Sequence, residues 1–146
     1  MIERITHAGI ELALIIPHSY KSEGIQFFTP NNYSQQIGYM SRPKGYVIEP
    51  HVHLPLPREV YYTQEVLFIR SGRVRVDFYD SDGLYLQSRI LEQGDFILLA
   101  AGGHGFVMLE PSEMIEVKQG PYAGEKDKSR FKSPTPERLV FKPQCP

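Results

Sequence analysis

The sequence predicts an all-β domain, a sandwich or barrel of short antiparallel strands. Apolar residues alternate with polar residues, or run together, in short segments that turn residues interrupt. These segments recur at roughly the 8–12-residue spacing expected of all-β sandwiches and barrels. The chain has 12 Gly and 12 Pro among its 146 residues, and no long stretch shows the amphipathic period of a helix. We therefore expect many short strands joined by turns.

Strand candidates in the first half are separated by proline-containing breakers. The candidates are residues 10–16, 24–28, 35–40 and 45–48. The second of them ends at the turn Thr29-Pro-Asn-Asn32. Pro55 and Pro57 exclude a central strand over residues 54–57, because proline lacks the N–H donor that a strand ladder needs.

The second half carries the clearest strand pattern. Residues 73–79 alternate between polar and apolar side chains, and Asp80–Gly83 predict the hairpin turn that follows. The remaining candidates are residues 66–69, 84–91, 96–99, 104–109 and 114–119. In the last of these, Met114, Glu116 and Lys118 share one strand face.

Composition narrows the class of protein. The formal net charge is -1, so no basic field favours nucleic acid or an anionic membrane surface. No apolar run approaches the roughly 20 residues of a spanning helix, and the N-terminus lacks the pattern of a secretory signal. The one cysteine, Cys145, excludes an internal disulfide. We expect a cytoplasmic protein that acts on a small molecule and binds neither nucleic acid nor membrane.

The organisation predicted is one domain over residues 1–124 followed by an arm over residues 125–146. The arm contains Ser and Pro among its basic residues, which are Lys126, Lys128, Arg130, Lys132, Arg138 and Lys142. Such a segment can be a solvated tail. Alternatively it packs on a second subunit of a homodimer, through Phe131, Leu139, Val140 and Phe141.

A metal-binding pattern begins at His51-Val-His53. Two histidines one residue apart point to the same side of a strand, because strand side chains alternate with a period of two. Glu65 opens the apolar run 66–69, and His104 follows a later strand. Three imidazoles and one carboxylate form a mixed nitrogen and oxygen set that suits one divalent transition metal, Fe, Mn, Ni, Cu or Zn.

These residues resemble the two motifs of the cupin superfamily. Gly45, five residues, then His51-Val-His53 match the start of the first motif, and Glu65, six residues, then Gly72 match its end. Eleven residues separate His53 from Glu65, where the family pattern has three or four. The second motif is similar to Gly94, five residues, Ala100-Ala-Gly102 and then His104, with Ala100 in place of proline. The resemblance covers residues 45–108 directly.

The resemblance implies a jelly-roll barrel, also called a double-stranded β-helix, whose metal ligands are His51, His53, Glu65 and His104. Glu59 in the long loop remains a rival to Glu65. The first hypothesis is a metal-dependent enzyme acting on a small oxygen-rich metabolite by dioxygenase- or isomerase-type chemistry. Any general acid or base would come from Glu116, Lys118 or a tyrosine.

Two further hypotheses stay open. The second is a non-catalytic module that binds a metal or a metabolite. The third is a metal-free protein similar to sugar-nucleotide epimerases, in which a histidine acts as the base. Metal content separates the third hypothesis from the other two, and turnover by the metal-loaded protein separates the first from the second.

Overall fold

The computed structural model describes residues 1–142, and almost all of its regular structure is β-strand. Cys145 lies outside the described residues. The all-β prediction is confirmed: the strands form three antiparallel sheets, none of which closes into a barrel. In chain order the strands are β1 (Glu3–His7), β2 (Ile10–Ile16), β3 (Gly24–Phe27), β4 (Gly38–Ser41), β5 (Glu65–Ser71), β6 (Arg73–Tyr79), β7 (Tyr85–Glu92), β8 (Phe96–Leu99), β9 (Gly103–Met108) and β10 (Glu113–Lys118). Two short 3-10 helices follow, at Gly124–Asp127 and Pro136–Arg138.

The strand predictions hold best where the apolar pattern is unbroken. Strands β2, β6 and β8 have the predicted bounds, and most of the other predicted strands differ by one to three residues at an end. Strand β1 was missed, because it is short and mostly polar. The predicted strand over residues 45–48 is wrong: Lys44 and Gly45 form a turn, and no strand follows before β5. Pro43 and the prolines at positions 50, 55 and 57 interrupt any ladder there.

Contacts along the chain define two compact units. One unit comprises residues 1–20 and the described chain from Thr63 to residue 142, and the other comprises Lys21–Tyr62. The smaller unit contains the β3–β4 hairpin, in which Gly24 pairs with Ser41 and Phe27 pairs with Gly38. The rest of that unit is turns and irregular chain.

The larger unit is built from two sheets that share one core. One sheet has the order β1-β2-β8-β5-β10, and the other has the order β7-β6-β9. Alternate residues of each sheet face inward. The buried cluster draws from the first sheet Ile5, Leu12, Ala13, Ile15, Leu67, Ile69, Ile97 and Leu99, and from the second Val74, Val76, Phe78 and Leu91. The inward face of one sheet therefore covers the inward face of the other.

The outer face of the β7-β6-β9 sheet contains an unusual set of buried polar groups. Asp77 is 1% exposed and accepts two hydrogen bonds from the Arg75 guanidinium, at 2.9 and 3.0 Å. The Ser88 hydroxyl donates to the same carboxylate at 2.5 Å and is joined to the Tyr85 hydroxyl at 2.8 Å. Every charge in this group has a partner, as a buried ion needs.

The C-terminal arm lies against this outer face. The Ser88 amide donates to the Val140 carbonyl at 2.8 Å, and the Val140 amide donates to the Tyr85 hydroxyl at 2.9 Å. The Phe131 ring contacts the Tyr79 ring with centroids 4.7 Å apart. The arm thus contacts its own chain at these points, while most of its residues are exposed, as a solvated tail predicts. Packing on a second subunit stays a prediction. The boundary at residue 124 stays a prediction.

No helix among residues 1–142 is long and apolar enough to cross a membrane.

Gly72 is required at the tight connection between β5 and β6. Its φ is +83°, and an added Cβ would lie 2.5 Å from the Pro111 carbonyl oxygen and 2.8 Å from the Ser112 Cα. Gly9, between β1 and β2, has a similar φ of +78° but open space around an added Cβ. The motif glycine therefore serves both the backbone conformation and the approach of a neighbouring loop.

We expect Gly72→Ala to lower the free energy of unfolding by about 2–5 kcal/mol, the sum of left-handed strain and steric overlap. Gly9→Ala should cost only about 1–2 kcal/mol, because the strain acts there alone. Urea unfolding of the two variants measures the difference. Equal losses would contradict the role given to the Pro111–Ser112 contact.

Candidate functional site

Glu65 begins β5 on the inward side of its sheet. It shares that face with Leu67 and Ile69 of the buried core, and it is 8% exposed. In the antiparallel ladders it lies between Leu99 of β8 and Lys118 of β10. At the start of β5, an inward position of the kind that holds apolar side chains elsewhere in the core thus holds a carboxylate.

His104 meets Glu65 from the opposite sheet. It is the second residue of β9, two positions before Phe106, which packs against the core. Its Nε2 lies 3.0 Å from Glu65 Oε2. The ionised carboxylate can only accept, so a neutral His104 donates through Nε2–H and keeps a lone pair on Nδ1. The contact joins two residues that the motifs single out and that are distant in the sequence.

Lys118 and Glu116 extend the polar cluster along β10. The Lys118 ammonium lies 3.7 Å from Glu65 Oε1 and 2.9 Å from Glu116 Oε1. Both residues are on the face of β10 that carries Met114, which packs against the core. The hydrogen bond with Glu116 and the charge of that carboxylate raise the pKa of Lys118. The inward face of β10 therefore changes from apolar to charged along its length.

Glu65 remains ionised to lower pH than an ordinary carboxylate. The hydrogen bond from His104 is the largest cause that lowers the pKa of Glu65 below its usual value of 4.5, and burial opposes it. The charges of His104, Lys118 and Lys128 lower this pKa further. A site that keeps its carboxylate charged can bind a cation or hold an imidazolium.

His51 and His53 lie in the smaller unit, on irregular chain rather than on the strand that was predicted. Their rings nevertheless adjoin, with centroids 5.2 Å apart at an interplanar angle of 80°. His51 Nδ1 is 2.9 Å from the Glu49 carbonyl oxygen, which it reaches as a donor. That hydrogen bond leaves Nε2 of His51 with its lone pair, the form in which an imidazole binds metal.

The rival carboxylate, Glu59, belongs to the same irregular chain. It is exposed and accepts a hydrogen bond from the Tyr61 hydroxyl at 2.9 Å. Glu65 differs from it in being buried on a strand beside a histidine. The two carboxylates therefore have distinct surroundings, which makes them separable by substitution.

The separation of the Glu65 and His104 donor atoms is that of a hydrogen bond, and it also equals the spacing of adjacent ligands on one metal ion. Ligands about 2.1 Å from an octahedral ion lie about 3.0 Å apart, since neighbouring bonds are perpendicular. The observed separation of Oε2 and Nε2 is 3.0 Å. Over residues 1–142, no group of three or more His, Cys, Asp or Glu side chains is arranged to hold a metal ion.

The arm brings two charged residues, Asp127 and Lys128, near the site. The sequence did not predict their proximity to it. Asp127 Oδ2 lies 3.5 Å from the Thr63 hydroxyl, two residues before Glu65. The charge of Lys128 acts on Glu65, and the charge of Asp127 acts on Lys118. A basic, proline-containing segment gives no periodic signal of where it packs, so only the fold could place these residues.

The lowered pKa of Glu65 predicts a pH-dependent contribution to stability in the metal-free protein. Because its pKa is lower in the folded state, the carboxylate stabilises the fold above about pH 4.5, and this contribution is lost as pH falls through the lowered pKa. Glu65→Gln removes it. We expect the stability difference between wild type and Glu65→Gln to shrink between about pH 6 and pH 3. Urea unfolding in the presence of a chelator measures it, and a constant difference would contradict the assignment.

Comparison with known proteins adds no relative: no family model, no curated protein and no solved structure matches this chain.

Proposed function

We propose that this chain is a metal-dependent enzyme of the cupin type that acts on a small oxygen-rich metabolite, with dioxygenase- or isomerase-type chemistry. The contact between Glu65 and His104 carries the proposal. Each residue was singled out from a different motif, and the fold brings both to the same end of one core. Their donor atoms are spaced as adjacent ligands of one ion would be.

Four residues would hold the metal: His51, His53, Glu65 and His104. The adjoining imidazoles of His51 and His53 support this set, because a hydrogen bond to one nitrogen of a ligand histidine directs the other nitrogen to the metal. When bound, a divalent transition ion of this kind polarises a carbonyl or activates water or oxygen. A jelly roll is the proposed architecture, because between β5 and β10 the chain crosses repeatedly from one sheet of the larger unit to the other, with only the β6–β7 hairpin staying within one sheet.

The protein residues supply the rest of the chemistry. Glu65 is ionised and Lys118 is protonated near neutral pH, so a neutral and polar ligand meets groups of both signs. Glu116 lies 2.9 Å from Lys118 and holds its ammonium on the inward face of β10. We keep Lys118 and Glu116 as the proposed groups that would exchange a proton with a ligand bound beside Glu65.

The metal-free acid–base protein is the second candidate, and the same contact favours it. Glu65 orients His104 through Nε2–H, which leaves Nδ1 as the basic atom. A histidine held by a carboxylate is a common arrangement for a general base. In that case activity would survive complete removal of metal, whereas the metal-dependent enzyme would lose it.

A homodimer and a cytoplasmic location stay predictions.

The first prediction of this proposal is metal content. Protein purified without a histidine tag should carry close to one divalent transition ion per chain, and chelation should lower its melting temperature. A ligand that binds only the folded state adds about 2.7 kcal/mol at a hundredfold excess over its dissociation constant. Elemental analysis and melting curves with Fe, Mn, Ni, Cu and Zn measure both. A melting temperature indifferent to every one of these ions would refute the metal proposal.

The second prediction separates the two carboxylates. Glu65→Gln should weaken metal binding tenfold or more, equal to about 1.4 kcal/mol, because a neutral amide is a poorer ligand. Glu59→Gln, the matched control in the loop, should leave affinity within about twofold. Calorimetric titration measures both, and far-UV circular dichroism confirms that each variant is folded. The reverse ranking would assign the ligand to the loop.

The third measurement separates enzyme from binding module. The metal-loaded protein and the chelated protein are incubated with mixtures of small hydroxylated and keto metabolites, with and without oxygen. Turnover only with metal supports the enzyme, and turnover in both supports the metal-free candidate. Tight metal binding without turnover of any compound would favour the non-catalytic module.

A further inference from the structure

The C-terminal arm contacts the rest of the larger unit near both strands that carry the Glu65–His104 contact. Near β5, Asp127 lies 3.5 Å from the Thr63 hydroxyl. Near β9, Phe131 lies against the backbone of Gly103, the residue before His104. Between these points the arm passes from one sheet to the other, because β5 and β9 belong to different sheets.

The contact at β9 depends on a glycine. A Cβ added at Gly103 would lie 2.6 Å from Phe131 Cζ and 3.2 Å from the Tyr79 Cβ. The same aromatic ring also covers Gly83, where an added Cβ would lie 3.2 Å from Phe131 Cγ. Phe131 therefore occupies the space that side chains at these two positions would need, and it packs edge-on against Tyr79.

His104 points away from Phe131. Successive strand residues point to opposite sides, so Gly103 and Gly105 face the arm while His104 faces inward to Glu65. Tyr79 pairs with Gly103 across the ladder, and its hydroxyl lies 3.9 Å from a Cβ placed at Gly105. The backbone that carries His104 is thus covered on its outer side by two aromatic rings.

The arm is held again beyond Phe131. Val140 makes two hydrogen bonds with β7: its carbonyl accepts from the Ser88 amide, and its amide donates to the Tyr85 hydroxyl. The charge of Lys128 also acts on Glu65 from the arm's first turn. The arm follows a defined course over the sheet, anchored at several points.

We propose that residues 125–142 form a strap across the site end of the two sheets, and that Phe131 is a positioning residue that holds the β9 backbone so that His104 meets Glu65. The role given to His104 as a ligand rests on the proposed function. The strap itself rests on the contacts of Phe131 and Val140.

Coupling between strap and site follows from this geometry. If packing of the strap on β9 raises the affinity of the site for a metal, a bound metal must stabilise the packed strap by the same factor. Phe131→Ala should leave a space beside Gly103 and let β9 move. A coupling between two sites is typically worth about 5–150-fold in affinity.

The experiment compares Phe131→Ala with the conservative Phe131→Leu and with Tyr122→Ala, an aromatic that is 83% exposed before the arm begins. Zinc affinity is measured in each, and again with His104→Ala added. We expect Phe131→Ala to weaken zinc binding about fivefold or more. Phe131→Leu should recover most of the loss and Tyr122→Ala should change nothing. In the His104→Ala background, Phe131→Ala should add no further loss.

Hydrogen exchange of the metal-free protein tests the strap independently of zinc. Phe131→Ala should speed exchange of the β9 amides over residues 103–105 and leave the β8 amides unchanged. Unchanged β9 exchange would overturn the strap. Faster β9 exchange together with unaltered zinc affinity would overturn its link to the site. If the wild-type protein binds no ion at all, the proposed function fails. The exchange result alone then decides whether the strap holds the β9 backbone.

Trypsin provides the reciprocal measurement, because Lys126, Lys128, Arg130 and Lys132 surround Phe131. Zinc should slow cleavage of the arm in wild type and should protect less in Phe131→Ala. Equal protection in both proteins would contradict the coupling.

Discussion

The structure of the larger unit depends on one constraint, the period of two that separates the faces of each strand. Inward residues of the two sheets bury Leu67, Ile69 and Phe78 together in one core. The same alternation carries the inward face past the core to its polar end. There β5 presents Glu65, β9 presents His104 and β10 presents Lys118. The site is thus a continuation of the core's own pattern, with charged groups where apolar ones end.

On the outer face of the β7-β6-β9 sheet, the same alternation places polar side chains, and these too are buried. Asp77, Tyr79 and Ser88 point away from the core and yet are buried. The arm lies over this face and hydrogen-bonds to Tyr85 and Ser88. Burial of an ion here is tolerable because Arg75 makes a two-pronged contact with Asp77. Phe131 covers the outer side of the edge strand β9 at Gly103. The same strand carries His104 on its inner side, so the packing of the arm and the position of His104 are linked.

Candidate residues are found in each of the two units. Within the larger unit, Glu65, His104, Lys118 and Glu116 form a chain of contacts between 2.9 and 3.7 Å. Within the smaller unit, His51 and His53 adjoin on irregular chain. The first set serves equally for a bound cation and for acid–base chemistry, which is why metal content is the decisive measurement.

The sequence by itself determined the all-β class, several strand bounds and the residues worth examining. Unbroken apolar runs and alternation specified β2, β6 and β8, because burial on a pleated face imposes that period locally. Spacing singled out Glu65, His104 and the His51–His53 pair. The prediction of strands from the sequence failed for residues 45–53, where prolines outweigh the apolar pattern. It also failed for β1, which is too polar to show an apolar pattern. The family resemblance already grouped Glu65 with His104, but only the tertiary structure decided that the two make direct contact and that the arm returns to cover β6, β7 and β9. Contacts between distant segments depend on how sheets stack, and no local period encodes them.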